Sequence, residues 1–409
     1  SLPVPPPPRR GGARGGWGAG RGGGGRAPPP PAPPPSPGYP LPRPPVACMT
    51  GWSAVVYQTG AGPSPVERLF TMLVVMRPNA TPAEIDRVVD VIKSQGLTPH
   101  PLPGATRTAI GMTGNTTAVE KGTFEVLPGV DEAIRVTKPF KLASREMKTD
   151  DTAVKTPFGS VGPGTFAVMG GPCSVENLEV TLRTAEYLKS RGVGFLRAGA
   201  FKPRTSPYSF QGMGVEGLKI LAKVREKTGV GIVTELMDTE NASAVEEYAD
   251  VIQIGTRNMQ NFSLLKRVGK CRKPVLLKRG MSATLEEWLM SAEYILAGGN
   301  YDVILCERGV RTFSDHSRNT LDLSVIPPAR ALTHLPIVVD PSHGTGKRAY
   351  VPAMALAGMA AGADGVMIEV HPDPDKALSD SAQTISFQTM DAILDKLRAM
   401  APIFGRRME

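Results

Sequence analysis

The stretch Phe166-Ala167-Val168-Met169-Gly170-Gly171-Pro172-Cys173-Ser174 sets a pattern that the rest of the chain repeats: a short apolar run, a polar cluster, then a helix-like segment. An apolar run this short, closed by Gly and Pro, reads as a strand buried on both faces, as in a parallel sheet. Runs of the same kind begin at Phe195, Gly231, Val251, Pro274, Asp302, Pro336 and Gly365, which with Phe166 makes eight. Helix-like segments follow them, among them Leu178–Ser190, Val215–Lys227, Leu285–Ala297 and Met354–Ala361. Eight even strand–helix units predict a closed (β/α)8 barrel. An open parallel sheet is the alternative, and the evenness of the repeats counts against it.

The polar clusters keep register with the strands. In order they are Gly171-Pro172-Cys173-Ser174, Arg197, Glu235, Gly255-Thr256-Arg257-Asn258, Lys278-Arg279-Gly280, Cys306-Glu307-Arg308-Gly309, Asp340-Pro341-Ser342-His343-Gly344 and Glu369-Val370-His371-Pro372. All lie just after a strand, at the end of a barrel where active sites are built. Arg197, Lys202, Arg204, Arg257, Lys278, Arg308 and Lys347 are expected to converge on that mouth. Unpaired charges next to apolar strands are costly to desolvate. Carboxylates such as Glu235 and Glu307 can pair with some of them. Seven cations facing so few acids point to substrate phosphates and carboxylates for the balance, with Arg suited to bidentate contacts.

Cys173, His343, Glu369 and Asp380 offer a thiolate, an imidazole and two carboxylates from strands one, seven and eight, which become neighbours when a barrel closes. Mixed S/N/O donors suit a first-row divalent ion: Mn, Fe, Co or Zn. Read singly, each has a plainer explanation, since a lone Cys is usually a small buried residue. The spacing is no compact signature, and Cys306 and His371 are decoys of the same type and place.

Ahead of the barrel, Met72-Leu73-Val74-Val75-Met76 reads as a buried strand. Thr81, Pro82 and Glu84 give the start of a helix with a capping box, whose apolar face is Ile85, Val88, Val89 and Ile92 and which Gly96 ends. Strand signals follow at Leu97–Leu102 and Thr106–Met112, a second helix at Thr117–Leu127 and a last strand at Val130–Val136. The order βαββαβ is ferredoxin-like. Its only His, His100, is expected on the surface and inert. The module is read either as packing and oligomerisation or as a regulatory ligand site.

The 409-residue chain carries a formal charge of +9, but Arg9, Arg10, Arg14, Arg21, Arg26 and Arg43 supply six of it without an acid nearby. The remaining +3 or so is ordinary for a soluble domain, so the charge argues against a nucleic-acid partner. Residues 1–45 are Pro, Gly and Arg with little else and are expected to be disordered. The chain begins with Ser1, and a natural start lies at Met72, at a strand-like run, so residues 1–71 are read as a leader outside the native protein. Four sparse cysteines, none of them spaced as C-x-x-C, fit a reducing, cytoplasmic compartment. No apolar run is long enough for a membrane span.

The runs Gly170-Gly171-Pro172-Cys173-Ser174-Val175-Glu176, Lys202-Pro203-Arg204-Thr205-Ser206, Ile254-Gly255-Thr256-Arg257-Asn258-Met259-Gln260-Asn261 and Asp340-Pro341-Ser342-His343-Gly344-Thr345-Gly346 resemble 3-deoxy-D-arabino-heptulosonate 7-phosphate (DAHP) synthase, in the subfamily with an N-terminal ferredoxin-like domain. The resemblance covers residues 72–409. Residues 1–71, the leader, have no counterpart in it; it implies a ferredoxin-like regulatory domain at 72–148 and a catalytic barrel at 149–409. It also implies the condensation of phosphoenolpyruvate with erythrose 4-phosphate, the first step of the shikimate pathway. By this resemblance Cys173, His343, Glu369 and Asp380 bind one divalent metal ion. Arg197, Lys202, Arg257, Lys278 and Arg308 bind phosphoenolpyruvate, and Arg204 and Thr205 the aldose phosphate. Lys278 is the candidate proton donor. His343 is better used as a ligand than as a base. Feedback inhibition by Phe or Tyr and a homotetramer are further implications. The nearest rival, 3-deoxy-D-manno-octulosonate 8-phosphate synthase with arabinose 5-phosphate, usually carries an Asn-Arg-Ser/Thr-Ser-type motif where this chain has Lys202-Pro203-Arg204-Thr205-Ser206. A rival of another class is an Arg-Gly tail on a degenerate barrel that binds nucleic acid. A degenerate barrel should have lost some strand-end cations and ligands, and none are missing.

Overall fold

The computed structural model describes residues 71–408, leaving aside 105–106, 115–118, 137, 203–207 and 209. The leader and the site candidates Arg204 and Thr205 lie outside the described residues.

The first sheet is built from β1 (Thr71–Met76), β2 (Thr98–Pro103), β3 (Thr108–Thr113) and β4 (Val130–Val136), antiparallel in the order β2-β3-β1-β4. Helix α1 (Pro82–Ser94) starts at the expected capping box: the Thr81 side chain accepts from the Glu84 N–H, and the Glu84 carboxylate accepts from the Thr81 N–H. The second helix is shorter than its pattern suggests, α2 (Gly122–Glu125). Gly122, which disfavours helix, stands at its start. β1 is apolar from Met72 to Met76 because both its faces are covered. Met72, Val74 and Met76 join Val88, Ile92 and Phe124 under the helices. Leu73 and Val75 instead join Leu142 and Met147 in the core continuous with the barrel. Gly111 in β3 makes room for this, since a Cβ there would lie 2.1 Å from Met147 Cε.

The short hairpin β5 (Val154–Thr156) and β6 (Gly159–Val161) comes next. Among the described residues, eight parallel strands then form the barrel: β7 (Thr165–Gly171), β8 (Phe195–Arg197), β9 (Gly231–Leu236), β10 (Val251–Ile254), β11 (Val275–Lys278), β12 (Val303–Glu307), β13 (Ile337–Val339) and β14 (Gly365–Glu369). β14 pairs with β7 from Gly365–Ala167 to Glu369–Gly171, which closes the barrel and excludes the open sheet. Helices cover the outside, including α3 (Leu178–Ser190), α4 (Gly214–Thr228), α5 (Ala242–Tyr248), α6 (Phe262–Val268), α7 (Leu285–Ala297) and α8 (Ile326–Leu332). The short α9 (Pro341–Thr345), then α10 (Val351–Ala360) and α11 (Phe387–Met400), complete the circuit, and β15 (Arg407–Met408) adds an edge to β7.

Ala167, Met169, Phe195, Val233, Val251, Leu276, Ile304, Cys306, Val338 and Met367 share one core with Val154 and Val161 of the hairpin. The hairpin therefore plugs the end of the barrel where the strands begin. Its turn residue Phe158 lies against Gly194 and Gly231, where a Cβ would clash at 2.1 and 2.7 Å. Cys306 is accordingly packing, as its plainer reading has it.

His100 corrects an expectation. It is buried, 3% exposed, because β2 packs against the barrel. Its Nδ1 lies 2.7 Å from the hydroxyl of Tyr301, just before β12, and its Nε2 2.8 Å from Thr113 Oγ1.

Candidate metal and anion site

Strand ends β7, β13 and β14 place the donor residues. Gly171 lets β7 pass close to β8: its φ is +149, and a Cβ there would sit 2.2 Å from the Arg197 carbonyl oxygen. Cys173 follows directly. Asp340, at the end of β13, caps the five-residue α9 by accepting from the His343 N–H at 2.9 Å. Glu369 ends β14. Asp380 lies in the next loop at φ 51, the non-glycine residue with positive φ among the described residues. Asp tolerates that region better than most side chains, but it remains a strained choice.

The ligand atoms of Cys173, His343, Glu369 and Asp380 all lie within 4.8 Å of one another. Cys173 Sγ is 3.0 Å from Asp380 Oδ2, and His343 Nε2 is 3.2 Å from Glu369 Oε1. Burial, then the negative charge of Glu369, pushes the Cys173 thiol up to about 12. Burial also acts against ionisation of Asp380, but the Cys173 hydrogen bond and His343 outweigh it and hold the carboxyl near 2. Burial lowers His343, against the pull of Asp340 and Glu369, which favours the neutral ring a metal ligand needs. One sulfur, one imidazole nitrogen and two carboxylates turned on one another fit a divalent cation, which would also stabilise the thiolate that burial opposes.

Cations surround this cluster. Arg197, 2% exposed, donates Nη1 to Glu369 Oε1 at 3.0 Å and Nε to Gln253 Oε1 at 3.1 Å. Gln253 in turn donates to Glu235 Oε2 at 2.9 Å. Lys202 donates to Cys173 Sγ at 2.8 Å and to its carbonyl at 2.9 Å. Lys278 is paired with Asp340 Oδ2, the same oxygen that meets His343 Nδ1 at 2.7 Å. Arg279 pairs with Glu307 and Asp322 at 3.0 and 2.9 Å. Protein acids thus answer more of the cations than the count of charges suggests. Among the described residues the Lys202 ammonium is bonded to Cys173 alone, and buried Arg308 has neither an acid nor a sulfur partner. Arg308 is 5% exposed, donates only a long 3.4 Å bond to the Gly309 carbonyl, and its Nε has no hydrogen-bond partner among the described residues. A buried guanidinium with an orphan donor is built for an anion. Burial lowers its pKa from the usual arginine value.

Arg257 is exposed on the turn after β10, beside a cleft of about 230 Å³ that Gly280, Ser282 and Arg311 also line. Lys347 is exposed, its ammonium 5.5 Å from the centre of the Tyr350 ring, and takes no part in the cluster. His371 is buried beside Glu176, outside the donor set. Sequence reasoning assigned no role to Asp340, Gln253, Arg318 or Gln383. Gln383 donates to Glu369 Oε2 at 2.7 Å, and Arg318 reaches Gln383 and Asp380 at 3.1 and 3.4 Å. Two signals were available: Gln253 is a polar residue inside the apolar run Val251–Ile254, and Asp340 stands three residues before His343.

Fold and site together define a (β/α)8-barrel enzyme whose mouth combines a metal-type donor set with buried cations. The DAHP synthetase I family model matches residues 152–403, and the DAHP synthase ferredoxin-like domain matches residues 72–138. The chain belongs to the DAHP synthetase I family. It is 47% identical over 334 residues to phospho-2-dehydro-3-deoxyheptonate aldolase of Thermotoga maritima, an alignment covering 82% of this chain and 99% of that protein. The crystal structure of that Thermotoga enzyme superposes with a TM-score of 0.66 at 46% identity, covering 83% of this chain and 100% of that one. A 2-dehydro-3-deoxyphosphooctonate aldolase of Syntrophobacter fumaroxidans is 33% identical, covering 58% of this chain and 88% of that protein. Among the described residues no helix is long and apolar enough to cross a membrane.

Proposed function

We propose that the chain condenses phosphoenolpyruvate with erythrose 4-phosphate and water, giving 3-deoxy-D-arabino-heptulosonate 7-phosphate and inorganic phosphate. The observation that carries the reading is the four-donor cluster of Cys173, His343, Glu369 and Asp380 set among Arg197, Lys202 and Lys278. A divalent ion held by those four residues, of the Mn, Fe, Co or Zn kind, supplies Lewis acidity to the aldehyde oxygen.

The chain's own residues do the rest. Arg308, with its orphan Nε, and Arg257 at the cleft receive the phosphate and carboxylate of phosphoenolpyruvate. Arg197 and Lys202 offset negative charge around the donors, so two anionic substrates can approach each other. C3 of phosphoenolpyruvate attacks the aldehyde carbon, water adds at C2, and the resulting hemiketal phosphate loses phosphate by C–O cleavage. Lys278, held by Asp340, is the proton donor. Arg204 and Thr205 hold the aldose phosphate.

Feedback inhibition by Phe or Tyr through the ferredoxin-like module, a homotetramer, a cytoplasmic location and a role in the shikimate pathway belong to the same proposal. So do the division into 1–71, 72–148 and 149–409 and the absence of nucleic-acid and membrane partners. The test is phosphate release from phosphoenolpyruvate with erythrose 4-phosphate or arabinose 5-phosphate, with and without EDTA, and then with Phe or Tyr. The expected result is turnover with the four-carbon aldose, abolished by EDTA. Preference for arabinose 5-phosphate would transfer the proposal to the octulosonate reaction, and full turnover without metal would remove the Lewis acid.

A further inference from the structure

Asp380 is the donor that the barrel itself does not fix. Cys173, His343 and Glu369 stand at or just beyond strand ends, whereas Asp380 sits in the loop after β14 with a left-handed backbone. Arg318 reaches it, and Gln383 and Ile385 tie the chain after it to Glu369. On its N-terminal side the ties run to the Cys173 segment. Ser379 Oγ lies 2.8 Å from Ser174 Oγ, and the Leu378 N–H donates to Glu176 Oε1 at 2.8 Å. Ser174 and Glu176 belong to the segment that carries Cys173. The other oxygen of Glu176, Oε2, lies 3.4 Å from His371 Nε2. The Asp373 N–H donates to His371 Nδ1 at 2.9 Å, which puts the ring proton on Nε2, facing Glu176. That nitrogen is buried and makes no hydrogen bond among the described residues, so its approach to Glu176 is an electrostatic contact and not a hydrogen bond. Glu176 therefore meets the loop at two points before Asp380, by a hydrogen bond from Leu378 and an electrostatic contact with His371.

We infer that Glu176 is a positioning residue that tethers the Asp380 loop to the Cys173 segment and so keeps the fourth donor in the metal site. The inference rests on reading the four-donor cluster as a metal site. Carboxylates that orient ligands without touching the ion typically change metal affinity 10–100-fold when lost. Glu176→Gln keeps an acceptor for the Leu378 N–H but can set an amide N–H against the His371 proton, so it should fall between wild type and Glu176→Ala.

The experiment uses chelator-stripped full-length protein titrated with Co(II), read by thiolate-to-cobalt charge-transfer absorption and by the visible d–d bands. Wild type should show both, with Asp380→Ala as the reference for loss of the fourth donor. Absence of the thiolate band in wild type would remove the metal reading, and the inference with it. With that band present, Glu176→Ala should keep it, lose roughly 10–100-fold in Co(II) affinity and shift its d–d bands toward those of Asp380→Ala. Ser379→Ala, which removes the smaller tie, should move the same way by less. If Glu176→Ala does not fold, Glu176→Gln and Ser379→Ala carry the test. Wild-type affinity and d–d bands in the folded Glu176 variants, with Asp380→Ala clearly shifted, overturn the inference.

Discussion

Lowering the pH should loosen the junction between the small domain and the barrel through His334. This ring is 4% exposed, just before β13. Its Nε2 faces the Leu142 carbonyl at 2.7 Å, and its Nδ1 lies 2.8 Å from Thr152 Oγ1, which also accepts from the Lys148 ammonium at 2.9 Å. Neutral imidazole satisfies this arrangement, with Nε2–H donating and Nδ1 accepting. A second ring proton would face a hydroxyl already taken by Lys148. Burial above all, then Lys148 and Arg145, lowers His334 to about 4 from its ordinary 6.5. Between those values the unfolded chain holds a proton that the folded protein refuses, so stability falls as pH drops. It is fully present above about 6.5 and the loss is complete below about 4. That gap is worth about 3 kcal/mol. Urea unfolding of wild type and His334→Gln at a series of pH values from 7 to 4 isolates it, because the other titrating groups are common to both. Wild type should lose about 3 kcal/mol more than the variant over this range. Parallel profiles, within about 1 kcal/mol, would refute the reasoning.

Arg308→Ala should lower kcat/KM for phosphoenolpyruvate by a factor of roughly 10–150, the worth of a charge-assisted hydrogen bond of about 1.5–3 kcal/mol, in steady-state assays of phosphate release. Asp340→Ala leaves Lys278 buried without its partner and should cost about 3–5 kcal/mol of stability in urea unfolding, with Asp340→Asn costing less. Thr81→Ala removes the capping box of an exposed helix start and should cost only about 1 kcal/mol by the same measurement, without affecting turnover.

The barrel was legible because its strands are nearly unbroken apolar runs. The expected starts at Pro274, Asp302 and Pro336 each fall one residue before the observed strands at Val275, Val303 and Ile337. The hairpin of β5 and β6 gave no such signal. Its strands are three residues long, and Val154 and Val161 are too few to establish a period. His100 was misplaced for a related reason: β2 is rich in proline, and nothing local records that Tyr301 waits across the domain junction. The cations were identified by type and position, but charge counting overstated what remained for substrate. It could not see that Lys278 shares Asp340 with His343, or that Arg197 is answered by Glu369.

By itself the sequence determined the eight-fold alternation, the capping box at Thr81 and the chemical types gathered after each strand, because these depend on neighbours a few residues apart. Which of those types meet was decided only by closure of the barrel. Cys173 and Asp380 are separated by 207 residues and come within 3.0 Å because β14 pairs with β7. Cys306, with the same chemistry after a similar apolar run, points into the packed interior instead. Local sequence places a side chain just past a strand. Whether it faces the shared mouth or the core depends on strand pairing and stagger around the whole barrel.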